Sequence, residues 1–347
     1  MVRAILRELQ LRKDYVAGEE IASLYFGGGT PSLLTESELT AILDEIHRLH
    51  SVNSVAEITL EANPDDLSLA KLNELKSAGI NRLSIGIQTF DEATLIFMNR
   101  SHTSAQAVEC LKNCETIGFS NISTDLIFGV PPTESSFQRF EKDLNTLLTF
   151  DPAHVSLYSL TIEPKTVFGH RLTKKELKPV PDEINALQYE LAIDRLTNHG
   201  YEHYEVSNFG KPGFLSAHNS SYWQRKKYLG IGPGAHSFDS MSRAFNVRNN
   251  AAYIREIAHD RLPLETEELR PLDELNEYIL TGSRTKWGVD LAHIKEKWGV
   301  DLHARHEKFI GDLIDSRKAV IENGVFRLTS RGFCVADEIA LHFFSVE

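Results

Sequence analysis

The sequence predicts an α/β fold: a (β/α) barrel, complete or partial, followed by a smaller and mostly helical region. Three observations lead there. Strand-like apolar runs recur through the first half of the chain, and each is followed by a segment of helical period. The strand ends at Phe26, Glu61, Gln88, Phe128 and Ser159 fall 35, 27, 40 and 31 residues apart. Alternation at this pitch implies parallel strands joined by right-handed crossovers. An open doubly wound sheet shares the pitch, but the barrel fits better.

The elements follow in order. Val2, Ile5, Leu6 and Leu9 stand at i, i+3, i+4 and i+7, so an amphipathic helix begins almost at Met1. The rhythm asks for a strand before it, so the chain reads as starting inside a β/α unit. "IASLYFGG" (21–28) is the first strand. Thr35 and Glu38 form a capping box, and Leu39, Ile42, Leu43 and Ile46 continue the helix. "EITLEA" (57–62) precedes a helix through Leu69, Leu72 and Leu75 that stops at Gly79. "RLSIGIQ" (82–88) is followed by a helix ending at Gly118. "ISTDLIFG" (122–129) leads to one carrying Phe137, Phe140, Leu144, Leu147 and Leu148, and "HVSLYSLTI" (154–162) is the fifth strand. This organisation places the barrel at 1–205, a connecting region at 206–265 and a helical domain at 266–347.

In that last third, "AAYIREIAHDRLPLETEELRPLDELNEYIL" reads as helices throughout. "KWGVDL" occurs at 286–291 and again at 297–302, with Asp290 and Asp301 placed as helix N-caps. A small wing hairpin turns at Glu322, Asn323 and Gly324 before a final helix.

Composition narrows the function. Hydrophobic residues make up 41% and charged ones 25% of 347 residues, ordinary for a globular chain. A net charge of −12 argues against nucleic acid as a partner, because that grip needs clustered Lys and Arg. No apolar run approaches the roughly 20 residues of a membrane helix, which leaves at most peripheral membrane contact. The first residues carry no signal-peptide core, and three cysteines suit a reducing cytoplasm.

Barrel chemistry sits at the C-terminal strand ends, and there the sequence departs from core logic. Gly27, Gly28, Gly29 and Thr30 follow the first strand; Glu61, Asn63 and Pro64 the second; Gln88 the third; Asp125 and Gly129 mark the fourth. One polar strand end is usually a cap or a turn, but four on one rim favour a site. Three glycines exceed what a turn needs and suggest a main-chain cradle. "GGGTPS" lacks the Lys and the spacing of a phosphate loop. An ammonium held by backbone carbonyls fits, with Glu61 and Asp125 free for ribose hydroxyls.

"YFGGGTPSLL", "EITLEANP", "RLSIGIQTF" and "DLIFGVP" resemble the S-adenosylmethionine-binding segments of the radical-SAM coproporphyrinogen-oxidase-like family. "YEVSNFGKPG" (204–213), "HNSSYW" (218–223) and "YLGIGPGAHSF" (228–238) are similar to its haem-chaperone branch. The resemblance implies a radical-SAM barrel, here N-terminally truncated. It implies that Gly28, Gly29 and Thr30 meet the methionine end of S-adenosylmethionine. Glu61, Gln88, Arg100 and Asp125 would contact its ribose, carboxylate and neighbouring groups, although Arg100 also reads as a solvated helix-start arginine. It links His218, with the flat surfaces of Tyr222 and Trp223, to haem, whose iron takes histidine ligands routinely; His236 is a second candidate.

One feature of that family is missing: the C-x3-C-x2-C motif that holds its [4Fe–4S] cluster. Cys110 and Cys114 mimic the first spacing, but Ile117 stands where a third ligand would fall, and both lie on an apolar helix face. They read as core residues, as does Cys334, so no metal ligands are assigned here. By resemblance, the cluster loop belongs to the strand absent before Met1. Two functions follow. One is a haem chaperone that delivers haem to acceptor proteins. The alternative is an oxygen-independent coproporphyrinogen III oxidase, which decarboxylates propionates by radical chemistry.

Overall fold

A computed structural model describes residues 1–344. Helix α1 (Val2–Leu11) precedes the first strand. Then β1 (Ile21–Phe26), α2 (Glu36–Leu49), β2 (Val52–Ala62), α3 (Leu69–Ser77) and β3 (Arg82–Gln88) alternate. They continue through α4 (Glu92–Phe97), α5 (Ser104–Ile117), β4 (Ile122–Phe128), α6 (Thr133–Phe150) and β5 (His154–Ser159). The five strands pair in parallel in chain order. After α7 (Val167–Thr173) and α8 (Asp182–Asn198), the hairpin β6 (Glu202–Glu205) and β7 (Asn208–Gly210) joins antiparallel beside β5. The result is one curled seven-stranded half-barrel, ordered β1-β2-β3-β4-β5-β7-β6.

The local signals act as expected. Thr35 accepts from the Glu38 amide and Glu38 reaches back, closing the capping box of α2. Gly118 ends α5 at φ 78° in the left-handed region, where a side chain would be strained. Leu83, Ile85 and Ile87 of β3 join Leu72, Leu75, Leu144 and Leu147 in the main core, with Cys110 and Cys114 beside them.

The elements differ from the sequence reading in several places. Strand β2 starts at Val52 rather than 57, because Ile21 pairs with Val52. Strand β5 stops at Ser159, the strand end used for the pitch, although the run quoted for it continues to 162. Helices α4, α7 and α8 and the β6–β7 hairpin lie where periodicity is weak. The segment 251–280, read as helices, also contains a strand. Beyond α9 (Ala217–Trp223), β8 (His236–Phe238), β9 (Ser242–Asn246) and α10 (Asn250–Ile257), strand β10 (Leu264–Glu268) pairs along β9 before α11 (Pro271–Ser283). Its glutamates favour helix alone, but ladder pairing at a charged, exposed edge outweighs propensity.

Helix α1 fastens this second sheet to the half-barrel. The fully buried Glu8 carboxylate accepts from the Gly232 amide (2.8 Å), Asn246 Nδ2 (2.7 Å) and the Tyr253 hydroxyl (2.5 Å). In the C-terminal region, Asp290 and Asp301 cap the amides of His293 and Ala304, each at 3.0 Å. Asn323 and Gly324, at φ 53° and 79°, make the tight turn of the wing. A two-residue strand, Val289–Asp290, adds a third member to that hairpin. Cys334 corrects an expectation: it is exposed, because it closes the short helix Ser330–Phe333 at the surface instead of packing inward.

Candidate functional site

The three glycines after β1 divide their tasks. Gly28 and Gly29 adopt φ 74° and 68° with open space where a Cβ would stand. Gly27 is a close approach instead, since a Cβ there would meet the Tyr25 ring at 2.6 Å and Glu61 Oε1 at 3.0 Å. Glu61 is held from both sides: Tyr25 donates to Oε1 at 2.8 Å and the Gly28 amide to Oε2 at 3.1 Å. Thr30 then caps the short turn Pro31–Leu33 without a side-chain hydrogen bond.

Around the rim, Gln88 ends β3 with φ 67°, an uncommon conformation for a side-chain-bearing residue. Gly86 makes room for it, because a Cβ would lie 2.7 Å from Gln88 Nε2 and 3.3 Å from Arg100 Nη2. Arg100 is not a solvated helix-start residue. It turns back to Asn63 Oδ1 at 3.4 Å, and burial lowers its guanidinium pKa. Burial likewise pushes Asp125 up to about 7, with Glu61 adding to the shift while hydrogen bonds from Ser156 and Ser84 and the charge of Arg82 oppose it. The half-barrel thus gathers Glu61, Gln88, Arg100 and Asp125 beside the open glycines.

The "HNSSYW" segment forms α9 and docks against this rim. Glu57 on β2 accepts from the amides of Ala217 (3.1 Å) and His218 (3.0 Å), an anion at a helix N-terminus, and pairs with Arg82 at 3.8 Å. The His218 ring stacks on Tyr25, centroids 4.3 Å apart at 17°, and meets Tyr222 edge-on at 4.7 Å. Burial lowers the His218 pKa to about 4, which keeps the imidazole neutral near pH 7. Trp223 is not part of this stack. Five residues beyond His218, it faces the far side of α9, under the Arg284 guanidinium at 5.4 Å. His236 is exposed, its ring 5.8 Å from that of Phe245.

Tyr25, Glu57 and Gly86 are site residues the sequence reading passed over. Tyr25 and Gly86 had a signal, as an aromatic and a glycine near strand ends; Glu57 looked like ordinary strand polarity.

Of the two groups the resemblance implies, the residues present fit one and not the other. Cys110 and Cys114 are enclosed in the core and Cys334 lies elsewhere, and among the described residues no three His, Cys, Asp or Glu converge. These residues do not fit an iron–sulfur cluster. The rim does fit S-adenosylmethionine: open glycine backbone, the half-buried Asp125 carboxyl and an arginine that reaches back to Asn63.

The radical SAM superfamily profile matches residues 2–144, the span that holds the glycine-rich first strand end and the polar rim of the parallel half-barrel, and places the chain in the radical SAM class. The HemN C-terminal domain profile matches 269–335. The heme chaperone HemW of Bacillus subtilis is 37% identical over 324 residues, covering 92% of this chain and 84% of the relative. That of Lactococcus lactis is 33% identical over 321 residues, with coverage of 92% and 84%. The coproporphyrinogen III oxidase of Escherichia coli, described as a radical SAM enzyme, superposes with a TM-score of 0.81. At 22% identity, over 99% of this chain and 82% of that one, the likeness is one of fold. The chain belongs to the HemW family of haem chaperones within the radical SAM superfamily.

Proposed function

We propose that this chain holds haem at α9 and S-adenosylmethionine along the rim, and hands the haem to acceptor proteins in the cytoplasm. One observation carries the haem assignment: a neutral His218 imidazole set between two aromatic rings on a helix that the half-barrel anchors. A neutral ring offers a nitrogen lone pair to iron without first losing a proton. Tyr222, 41% exposed, supplies apolar surface beside it. A single protein ligand with a half-open aromatic wall suits a carrier that must also release its cargo.

For S-adenosylmethionine, the backbone at Gly28, Gly29 and Thr30 would take the methionine end. Glu61, Gln88, Arg100 and Asp125 would hold the ribose, the carboxylate and neighbouring groups. When bound, that cofactor supplies a sulfonium and, beside a reduced cluster, a radical source. The residues described above bind and orient. No step is derived through a cluster, because the chain's own thiols do not fit one. A cytoplasmic setting suits the three free cysteines, and no helix among the described residues is long and apolar enough to cross a membrane. The oxidase alternative rests on the shared fold alone.

Haem titration of the wild type against His218→Ala tests this. We expect the Soret shift of the wild type to be lost and affinity to fall about tenfold or more, as for loss of a ligand worth at least 1.4 kcal/mol. Identical titrations would overturn the assignment.

A further inference from the structure

Across α9 from His218 lies a cavity of about 530 Å³, between the connecting region and the C-terminal unit. All three tryptophans of the chain, Trp223, Trp287 and Trp298, line it. Each is only partly buried, so the cluster is not simply a core. Tyr278 and His293 add rings to the same wall, 5.5 Å each from Trp298 and 5.2 Å from one another.

The charges at this wall are partly spoken for. Lys297 stands 4.7 Å over the Trp298 ring and also pairs with Glu274. Arg225 gives Nη1 to Glu277 at 2.8 Å, while its Nη2 has no hydrogen-bond partner. The volume falls within the roughly 300–1,000 Å³ of sites for single small ligands. Several flat faces select a flat conjugated ligand. Glu274 and Asp290 line the same wall, so an anionic group on that ligand fits only at its edge, where Lys297 and the free Arg225 Nη2 can meet it.

We propose that this cavity is a second binding site, for a planar, anionic macrocycle of the porphyrin class, held by stacking and charge rather than by a bond to iron. The choice of macrocycle rests on the haem reading above; the site itself does not involve His218. Helix α9 then presents a ligand to iron on one side and a stacking wall on the other, two stations for a cargo that is taken up and passed on.

Iron-free protoporphyrin IX separates the two stations, because it has no iron to ligate. Its titration into the intact chain, followed by the Soret band, should give binding of about one equivalent. His218→Ala should leave this unchanged. Trp287→Ala and Trp298→Ala should each weaken it about tenfold through lost stacking and apolar contact. Trp298→Phe should restore part of the loss. Lys297→Glu changes a side chain that is 43% exposed, so the fold should survive, and it should weaken binding about threefold, more at low salt. The proposal falls if the wild type does not bind the porphyrin, if His218→Ala abolishes binding, or if neither Trp298→Ala nor Lys297→Glu alters it. Failure of the His218 assignment shows separately, as an unchanged haem titration of His218→Ala.

Discussion

The rings of Tyr25 and His218 lie parallel within 17° at 4.3 Å, and the Tyr25 hydroxyl donates to Glu61 at 2.8 Å. The proposed cofactor rim and the proposed haem helix therefore meet in one side chain. Burial, then the charge of Glu61, raises the Tyr25 pKa, so the phenol remains a donor throughout the physiological range. A ligand that claims the Glu61 carboxylate must compete with Tyr25 and with the Gly28 amide.

Tyr25→Phe keeps the stacked ring and removes only the hydroxyl. It should change S-adenosylmethionine affinity by about 0.5–1.5 kcal/mol, a hydrogen bond's net worth, with haem absorption little altered. Tyr25→Ala removes both contacts and should disturb both ligands. Calorimetry for one and a Soret titration for the other check this. If Ala leaves haem binding at the wild-type level, the stack plays no part in it.

Asp125 gives a pH signature. Burial pushes its carboxyl up to about 7, so the folded chain holds this proton more tightly than the unfolded chain, whose value is near 4. The stability it contributes is full below the ordinary carboxylate range and fades as pH rises through about 7. Asp125→Asn should melt with a flatter pH profile and gain on the wild type at pH 8, by about 1–3 kcal/mol for a relieved buried charge. Melting curves between pH 5 and 8.5 measure it. A constant offset between the two proteins across that range would mean that Asp125 titrates normally.

Much of this was legible in the residues. Five strands, their parallel order and four of the rim positions follow from period and from glycines where packing wanted side chains. What escaped depended on partners distant in sequence. The β10 glutamates signal helix until β9 is beside them. Tyr25 and Glu57 meet α9 only because the fold brings it back across some 160 to 190 positions. Trp223 reads as one motif with His218, yet five residues along a helix is about 500° of turn, which sends it to the opposite side. Asp125 looks like a solvent-washed strand end, whereas Ser84 and Ser156 of the neighbouring strands bond it and burial raises its pKa.

Glu57 positions α9 and balances Arg82, whose side chain is only 3% exposed. Glu57→Ala leaves that guanidinium buried without its carboxylate and strips the cap from the His218 helix. Breaking a buried pair from one side costs about 3–5 kcal/mol, a loss that thermal melts should register as a clear drop in Tm. Glu57→Gln can still accept from the α9 amides, so it should recover haem binding better than it recovers stability. Equal haem binding by Glu57→Ala and wild type would show that α9 needs no such anchor.

The thiols distinguish a cluster site from a packed core. Cys110 and Cys114 are 1% and 0% exposed, one turn apart on α5, and their mutual hydrogen bond together with burial raises the Cys110 pKa far above the reactive range. Cys334 is exposed, although partial burial raises its pKa too. The folded chain should therefore react with one equivalent of a thiol reagent, slowly at pH 7 and faster at pH 9, and with three after denaturation. Cys334→Ser should abolish the native reaction without shifting the melting temperature. The same geometry sets the outcome of anaerobic reconstitution with iron and sulfide. Two thiols locked into a core cannot turn outward without unfolding α5, and the third is alone, so no stable [4Fe–4S] species should form on this chain. Four irons bound per chain, with a thiolate-to-iron charge-transfer band that Cys334→Ser removes, would refute this.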